Sequence, residues 1–348
     1  MSTLVTTPAS PLRRGVLPGW SAIAVAVGAL AVTAGLFAVT PLQGRAGYVI
    51  VSALSFLLLQ AVAASVVEGR RRATDRLVTS VVTMAFLLAL LPLFSVLTYT
   101  AQQGAHRFDG VFFSHSLRNI GARDAGGGAY HAILGTLEQV GITTLISVPF
   151  GLLVAVYIVE YGRGRLAAAI RFFVDVMTGI PSIVAGLFIL SFWILGLGRG
   201  FSGFAASLAL TVLMLPIVVR SSEEMLKLVP DSLREASFAL GIPRWKTILR
   251  IVLPTALPGI VTGVMLAIAR VTGETAPVLL TAFGTASINA DPFSGAQSSL
   301  SLMVFQQAGD AQATAVNRAW TAALTLILIV MVLNLLARLL TRRNRLER

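Results

Sequence analysis

The stretch Leu77–Tyr99, LVTSVVTMAFLLALLPLFSVLTY, decides the fold class, because its 23 residues include no charged side chain. About 20 mostly apolar residues are needed to cross a bilayer as an α-helix. Seven other segments are also mostly apolar and long enough to cross, and the fifth and seventh of the eight are interrupted by glycine and proline. The predicted spans are Trp20–Val39, Gly47–Val67, Leu77–Tyr99, Ile133–Val159, Ala168–Leu195, Phe201–Val219, Leu257–Phe283 and Ala319–Ala337.

The composition agrees with a membrane protein and excludes several kinds of chemistry. Hydrophobic residues make up 56% and charged residues 12% of the chain, whereas soluble domains carry roughly 25% charged residues. There are no cysteines, the three histidines form no metal-binding motif, and no phosphate-binding P-loop is present. We therefore predict an all-α integral membrane protein that is not an enzyme, with no catalytic residue, no metal and no cofactor.

The distribution of basic residues predicts the orientation. Lysine and arginine number 27 against 15 acidic residues, giving a net charge of +12. With a cytoplasmic N-terminus, 20 of the 27 fall in inner segments, six in outer segments, and Arg270 lies within a span, as the positive-inside rule requires. Topology and anionic lipid thus explain the positive charge, so no nucleic-acid partner is expected, and both termini are predicted to be cytoplasmic.

The largest inner loop, residues 220–253, contains two predicted short helices separated by a hard break. Ser232 and Glu235 have the spacing of a capping box at the start of the first helix. Gly241 suits the left-handed position that ends this helix. Pro243 blocks its continuation and suits the first position of a second helix, 244–252. A well-capped surface hairpin would account for this pattern without any partner.

The same loop resembles the signature of ABC importer permeases: Glu-Ala-Ala, three residues, Gly, nine residues, Ile-x-Leu-Pro. Here Glu235-Ala236-Ser237, Gly241 and the run from Ile251 to Pro254 match it, and only Ser237 departs. The resemblance implies that the loop is a coupling helix that docks on an ATP-binding subunit. The residues implied in docking are Glu235, Ala236, Ser237, Gly241 and Pro243.

The seventh span carries two charged residues, Arg270 and Glu274. Their spacing of four predicts that they share one face of a membrane helix. A charge at mid-bilayer costs at least about 2.5–3.5 kcal/mol, so both are expected to face the protein interior or a water-filled path. A guanidinium binds oxyanions well, but a structural Arg–Glu pair that never meets substrate has the same spacing.

A second resemblance concerns these residues. Arg270-Val271-Thr272-Gly273-Glu274-Thr275-Ala276-Pro277 is similar to the PstA-type permease subunits of phosphate-specific ABC importers. The run from Gly179 through Pro181-Ser182 to Gly186, which interrupts the fifth span, also resembles that family. The resemblance implies that phosphate passes Arg270, Glu274 and Thr275. Gly179 and Ser182 are predicted to line the same path, although a kink absorbed by neighbouring helices would also explain the break.

The resemblance implies a domain plan and a set of partners. The plan is a cytoplasmic tail (1–19), an extra transmembrane hairpin (20–76), a type I importer permease domain with six spans (77–343) and a second cytoplasmic tail (344–348). The implied partners are a PstC-like permease subunit, a dimer of PstB-like ATP-binding subunits and an extracytoplasmic PstS-like phosphate-binding protein, all at a bacterial inner membrane.

Three other functions are compatible with the sequence. The cargo could be sulfate, molybdate or a phosphonate, the chain could be a secondary carrier driven by an ion gradient, or it could relay phosphate status to a kinase. Among the remaining polar residues we expect structural roles. Asp175 is expected to pair with a nearby basic residue such as Arg171, and Glu138 is also expected to be structural. His106, His115 and His131 are expected to be solvated.

Overall fold

The computed structural model describes residues 15–41, 44–162 and 164–346, with side chains through residue 339. The predicted tail residues 1–14 and 347–348, together with Arg163, lie outside the described residues. The described residues form helices and one isolated β-bridge, between Phe283 and Gln297. In chain order the α-helices are α1 (Ser21–Val39), α2 (Arg45–Val67), α3 (Arg70–Gly104), α4 (Gly110–Ser114), α5 (Tyr130–Val156), α6 (Arg165–Thr178), α7 (Ser182–Ile189), α8 (Gly203–Lys227), α9 (Asp231–Ala239), α10 (Arg244–Thr247), α11 (Leu253–Thr272), α12 (Ala276–Ala282), α13 (Leu300–Ala308) and α14 (Ala313–Leu346).

Three helices contain wide π-helical turns. Tyr157–Tyr161 extends α5, Leu190–Gly196 extends α7, and Ile248–Val252 joins α10 to α11. Arg244–Thr272 is therefore one continuous apolar span. The prediction of a separate second loop helix is wrong, because π-turns keep the backbone hydrogen bonding unbroken into the membrane. Such turns are rare and frequently occur at functional sites.

The chain divides into two compact units, residues 1–97 and 98–348. In the first unit α1 packs against α2, and the Phe37 and Tyr48 ring centroids lie 5.2 Å apart. The buried Glu68 carboxylate accepts hydrogen bonds from Arg76 (2.7 and 2.8 Å) and from the Leu17 N–H (2.7 Å). This cluster fastens the segment that precedes α1. The predicted division at residue 76 stays a prediction.

The second unit is built around α8. Its largest apolar cluster includes Met214 and Val218 of α8, Ile260 of α11 and Val278 of α12, all buried. Helix α5 lies so close to α8 that a Cβ at Gly151 would stand 2.7 Å from the Val218 side chain. Small residues permit this approach, which is how membrane helices gain packing energy when lipid is as apolar as their side chains.

Helices α5 and α8 run in the same direction, which fixes the number of membrane crossings. Near their starts, Gln139 of α5 donates to Gln297 (3.0 Å), and Gln297 also lies against Gly203, the first residue of α8. Near their ends, Glu160 binds Arg234, which follows α8 by a few residues (2.8 Å). The chain from Tyr161 to Gly203 must therefore return across the membrane.

That return is made by α6 and α7, which are bent by 106° at the break between them. Among the described residues seven other helices are long and apolar enough to cross, so the bent pair brings the number of crossings to eight. The predicted all-α membrane fold with about eight spans is confirmed. The fifth span is a broken one, as its glycine and proline predicted.

Candidate functional site: the 220–253 loop and the broken helices

The turn that ends α9 has the predicted form. Gly241 is left-handed, with φ +71°. Its N–H donates to Phe238 O (2.9 Å), and the Ile242 N–H donates to Ser237 O (3.2 Å). These two bonds form the Schellman arrangement that satisfies the last carbonyls of a helix. Pro243 follows in an extended conformation (φ −65°, ψ 149°) and Arg244 opens the next helix, so the prediction that Pro243 is the first helical residue is wrong by one position.

The start of α9 differs from the prediction. The helix begins at Asp231 after Pro230, with no side-chain cap, so the capping box of Ser232 and Glu235 is wrong. A capping Ser232 would start the helix at Leu233, and the observed start at Asp231, directly after Pro230, is two residues earlier. Asp231 lies in the first turn, where its negative charge interacts favourably with the positive end of the helix dipole. The Glu235 side chain is exposed and does not cap the start of α9.

Arg234 fastens α9 to the end of the fourth span. Its guanidinium donates to Glu160 Oε1 (2.8 and 3.1 Å) and to the carbonyls of Val229 (2.6 Å) and Leu226 (3.0 Å). The side chains of Arg234 and Glu160 are only 13% and 5% exposed. Arg244 adds a bond to the Glu160 carbonyl and lies 4.9 Å from the Tyr161 ring centroid. We call this set of contacts the Arg234 clamp.

The one departure from the importer signature has a structural partner. The Ser237 and Thr247 hydroxyls are buried and 2.7 Å apart, so they join α9 to α10. A buried hydroxyl needs such a bond, because an unpaired one is costly. Ser237 therefore holds the two halves of the loop together and does not lie on its surface.

The outer surface of the loop is exposed and partly apolar. Leu240 is 80%, Trp245 55% and Phe238 46% exposed. The other four predicted docking residues, Glu235, Ala236, Gly241 and Pro243, are also exposed. A cavity of about 480 Å³, with Glu235, Phe238 and Arg244 in its lining, adjoins this surface. Exposed apolar groups rimmed by charge are typical of a surface that binds another protein.

A buried carboxylate lies near the C-terminal end of α8. Glu223 is 1% exposed. Its carboxylate oxygens form ion pairs with the side-chain nitrogens of Lys227 (2.9 Å), Arg171 (3.2 Å) and Arg220 (3.6 Å). Asp175 has a basic neighbour as predicted, but that neighbour is not Arg171, because Arg171 reaches across to Glu223. Asp175 instead lies 3.8 Å from Arg220. No sequence motif points to Glu223, because its partners come from two different helices, α6 and α8.

The prediction that Arg270 and Glu274 share one helix face is wrong. Helix α11 ends at Thr272, and Glu274 lies in the break before α12. Pro277 explains the break, since its ring cannot be accommodated against the carbonyl of Gly273 in a continuous helix. Arg270 is exposed, and no ion pair joins it to Glu274 within the described residues. The Glu274 carbonyl accepts from the Ser301 hydroxyl (2.8 Å).

The two broken helices meet each other. Helix α7, which follows the Gly179–Ser182 break, packs against α12, which follows the Gly273–Thr275 break. A Cβ at Gly186 would lie 2.8 Å from the Pro277 Cα, so this contact requires glycine. Gly179 and Arg270 are exposed, whereas Ser182, Glu274 and Thr275 are half-buried. The structure thus joins the segments that carry the predicted path residues.

The opposite end of the second unit is rich in polar contacts. Gln297 donates to Glu138 (2.5 Å), which gives Glu138 the predicted structural role. His106 and His115 are exposed as predicted, but His131 is 2% exposed. That prediction is wrong because α5 starts at Tyr130 and buries its first turn. Arg318, also missed from the sequence, is 1% exposed and binds the carbonyls of the 121–126 loop.

These features define a membrane protein of many spans, with a loop that is fastened to the end of α5 and two broken helices that pack together. The family of binding-protein-dependent transport system inner membrane components matches residues 147–346. This match includes the loop, both broken helices and the last span.

Two curated relatives narrow the class. The phosphate transport system permease protein PstA 1 of Mycobacterium tuberculosis (strain ATCC 25618 / H37Rv) is 49% identical over 282 residues, or 80% of this chain and 92% of the relative. The corresponding PstA protein of Mycobacterium leprae (strain TN) is 48% identical over 280 residues, covering 80% and 91%. The chain therefore belongs to the family of binding-protein-dependent transport inner membrane components, as a PstA-type permease.

A solved structure agrees with the fold. A chain of the bacterial alginate ABC transporter, crystallised in complex with an alginate pentasaccharide-bound periplasmic protein, superimposes with a TM-score of 0.55. The match covers 78% of this chain and 95% of that chain at 15% identity. At this identity the likeness concerns the fold alone.

Proposed function

We propose that the chain is the membrane-spanning permease subunit of an ATP-driven importer that moves inorganic phosphate into the cell. The observation that carries the proposal is the 49% identity, over 92% of its length, with a mycobacterial protein named for phosphate transport. The chain's own motifs agree, since the Arg270–Pro277 and Gly179–Gly186 segments each contain a helix break, and the helices that follow the two breaks, α12 and α7, pack together. The chain forms and breaks no covalent bond in this role.

The 220–253 loop supplies the mechanical link to ATP-binding partners. A pair of PstB-like subunits would bind the exposed surface of α9, with Glu235, Ala236 and Phe238 in contact. The Arg234 clamp would pass the motion of α9 to α5, and the π-helical Ile248–Val252 segment would pass it to α11. A PstC-like permease and a PstS-like binding protein complete the importer.

The broken helices would form the path. Breaks in membrane helices leave backbone N–H groups without helical partners, and transporters use such groups to bind anions. Arg270, at the exposed last turn of α11, would attract the oxyanion with a guanidinium. Glu274, Thr275, Gly179 and Ser182 would then border the passage as it runs along the α7–α12 contact.

The orientation follows from the loop. If α9 binds ATP-binding subunits, it is cytoplasmic. Helix α11 then crosses to the outer side and α14 crosses back, so the end of α14 is cytoplasmic too. Three spans precede the outer residues 105–129, which places the N-terminus inside as well. An inner-membrane protein with both termini cytoplasmic agrees with the concentration of basic residues in the inner segments.

Uptake of labelled phosphate tests the proposal. Cells lacking the gene would be complemented with wild type, Gly241→Pro, Arg270→Ala or Arg199→Ala, with membrane levels checked by immunoblot. We expect wild type and Arg199→Ala, a matched change of an exposed loop arginine, to restore uptake. Gly241→Pro should abolish it, because proline cannot adopt φ +71°, and Arg270→Ala should reduce it severely.

The competitors decide the cargo. Excess phosphate should compete with the label, whereas sulfate, molybdate and a phosphonate should not. Uptake that survives ATP depletion but not an uncoupler would refute the ATP-driven mechanism. Competition by a different oxyanion would refute phosphate as the cargo while leaving the permease assignment intact.

A further inference from the structure

The break between α11 and α12 leaves a backbone carbonyl outside both helices. The first helical hydrogen bond of α12 joins the Leu279 N–H to the Thr275 carbonyl (2.9 Å). The Glu274 carbonyl, one residue earlier, is therefore not part of the helical ladder. Backbone groups that are shielded from water are nearly always paired, so a side chain must supply the hydrogen bond that the helix does not.

Ser301 supplies that hydrogen bond from the start of α13. Its hydroxyl donates to the Glu274 carbonyl (2.8 Å), and the residue is only 5% exposed. The bond fixes the orientation of the peptide group that joins Glu274 to Thr275. It therefore also fixes the directions in which these two side chains leave the backbone at the break.

The Ser301 hydroxyl belongs to a chain of hydrogen bonds with one consistent direction. The Leu302 N–H donates to Ser299 Oγ (3.2 Å), and the Ser299 and Ser301 hydroxyls are 3.0 Å apart. Since a carbonyl only accepts, the Ser301 hydrogen is used by Glu274, and the Ser299 hydroxyl must donate to Ser301. Each bond polarises the next one, so the chain as a whole strengthens the contact with the Glu274 carbonyl.

The same segment is attached to α5 on its other side. The Leu300 N–H donates to Thr136 Oγ1 (2.8 Å), and Gln139 Nε2 donates to the Ser298 carbonyl (3.3 Å). There is no room for a Cβ at Gly135 against the Ser298 carbonyl, so the two backbones touch. Residues 298–302 thus lie between α5 and the helix break and are bonded to both.

Helix α5 extends from this contact to the Arg234 clamp. Residues Tyr130–Tyr161 form a single span, and the Glu160 side chain near its end is the carboxylate that Arg234 binds. Thr136 and Glu160 are separated by about 36 Å at 1.5 Å per residue. A displacement of α5 at the clamp would therefore act on the 298–302 segment at the far end of the same span.

We propose that Ser301 is a positioning residue for phosphate passage. Its hydroxyl fixes the Glu274 peptide group in the break, and the 298–302 segment passes displacements of α5 to that peptide group. This inference rests on the proposed function, in which Glu274 borders the path. Ser301 acts through Glu274 and requires no contact with phosphate.

Thiol labelling tests the positioning directly. The chain has no cysteine, so Glu274→Cys introduces a single thiol and leaves the backbone carbonyl in place. The purified full-length variant in nanodiscs would be treated with a charged methanethiosulfonate, and the labelling rate followed by mass spectrometry. Adding Ser301→Ala should raise this rate about tenfold, because the half-buried position 274 is no longer fixed by a buried hydrogen bond.

Three comparisons show whether the effect is specific. Ser301→Thr keeps a hydroxyl and should leave the labelling rate of Glu274→Cys unchanged. Ser294→Ala, which removes a hydroxyl from an exposed serine of the preceding loop, should also leave it unchanged. A thiol at the distant and exposed position of Leu240→Cys should be labelled at the same rate with and without Ser301→Ala.

Phosphate uptake tests the functional part. Cells that express Ser301→Ala, Ser301→Thr or Ser294→Ala would be compared at saturating phosphate, with uptake divided by the amount of chain in the membrane. A residue needed only for folding would change that amount and not the rate per molecule. We expect the rate per molecule to fall about tenfold in Ser301→Ala and to be close to wild type in the other two variants.

Each result supports or overturns the inference. Equal labelling of Glu274→Cys with and without Ser301→Ala would overturn it. Wild-type uptake per molecule in Ser301→Ala, or equal losses in Ser301→Ala and Ser301→Thr, would also overturn it. If wild type takes up no phosphate while Ser301→Ala still raises the labelling rate, the proposed function fails and the control of Glu274 by Ser301 stands.

Discussion

The Arg234 clamp makes a quantitative prediction about the loop. Replacing Arg234 by Met removes four contacts at once: the ion pairs with Glu160 and with the exposed Asp231, and the bonds to Val229 O and Leu226 O. The Glu160 side chain is only 5% exposed, so its carboxylate would be left buried without a cation. We expect α9 to separate from the end of α5 far more often than in the wild type.

The magnitude follows from the burial of the pair. Removing one partner of a buried ion pair costs about 3–5 kcal/mol, whereas an exposed pair is worth about 0–1 kcal/mol. Arg234 is 13% exposed and lies near the membrane surface, so the low end of the buried range applies. A cost of about 3 kcal/mol corresponds to a population of the open loop more than a hundredfold higher.

Amide hydrogen exchange of the purified chain in nanodiscs measures this opening. The amides at the end of α9, around Phe238, should exchange about a hundredfold faster in Arg234→Met, because exchange there requires α9 to leave its contacts. Amides in the core of α8 should not change. The same variant should lose most phosphate uptake, since the loop would no longer transmit motion to α5.

Two controls isolate the ion pair. Arg250→Met removes an exposed guanidinium from the adjoining π-helical segment and should leave exchange in α9 unchanged. Arg234→Met combined with Glu160→Gln should exchange more slowly than Arg234→Met alone, because the stranded charge is gone. An exchange rate in Arg234→Met within threefold of wild type, about 0.6 kcal/mol, would refute the reasoning.

Three further predictions concern local geometry and pH. Gly241→Ala should lower the free energy of unfolding by about 1–2 kcal/mol. The whole cost comes from the left-handed backbone, since nothing lies within 4 Å of the added Cβ, and thermal unfolding would measure it. Gly186→Ala should lower the stability of the folded chain by about 1–3 kcal/mol, because the added Cβ forces α7 away from Pro277. The amount of the variant in the membrane and its phosphate uptake would report this loss. The Arg76 guanidinium and then the Leu17 N–H hold the pKa of Glu68 below its ordinary 4.5, so attachment of the 15–20 segment should be constant at neutral pH and be lost as the pH falls through the lowered value. Proteolysis of that segment as a function of pH would follow the loss.

Each of these has a matched comparison. Gly241→Asn should retain more stability than Gly241→Ala, because asparagine tolerates the left-handed region. Gly179→Ala should be milder than Gly186→Ala, since its nearest contact is a carbonyl at 3.5 Å. Glu68→Gln should make the 15–20 segment susceptible to protease already at neutral pH. Equal behaviour within any of these pairs would contradict the geometry invoked for it.

The sequence could predict those features that depend on residues close together in the chain. A long apolar segment specifies a membrane helix whatever the rest of the chain does, so the eight spans could be predicted. The ends of the observed spans differ from the predicted ends by several residues. Gly241 specifies its left-handed turn for the same local reason, and the Gly179–Ser182 break follows from glycine and proline. The family followed from motifs whose spacing is written in the chain.

Contacts between distant residues could not be predicted. Arg234 and Glu160 are 74 positions apart, so their ion pair exists only because α5 and α8 run parallel and end together. The same parallel packing places Glu223 within reach of Arg171 and leaves Asp175 to Arg220. The spacing of Arg270 and Glu274 predicts a shared helix face only if the helix is continuous. The break before Pro277 ends α11 at Thr272, so Glu274 lies outside that helix.

Membrane crossing, the turn of the loop and the family could therefore be inferred from the amino-acid sequence, because these depend on local chemistry. Which charges are buried together, and which polar atoms, such as His131 Nδ1, have no partner among the described residues, depends on the packing of the folded chain. Those outcomes depend on how helices pack in three dimensions, since burial, and the cost of an unpaired group, exist only once distant segments have come together.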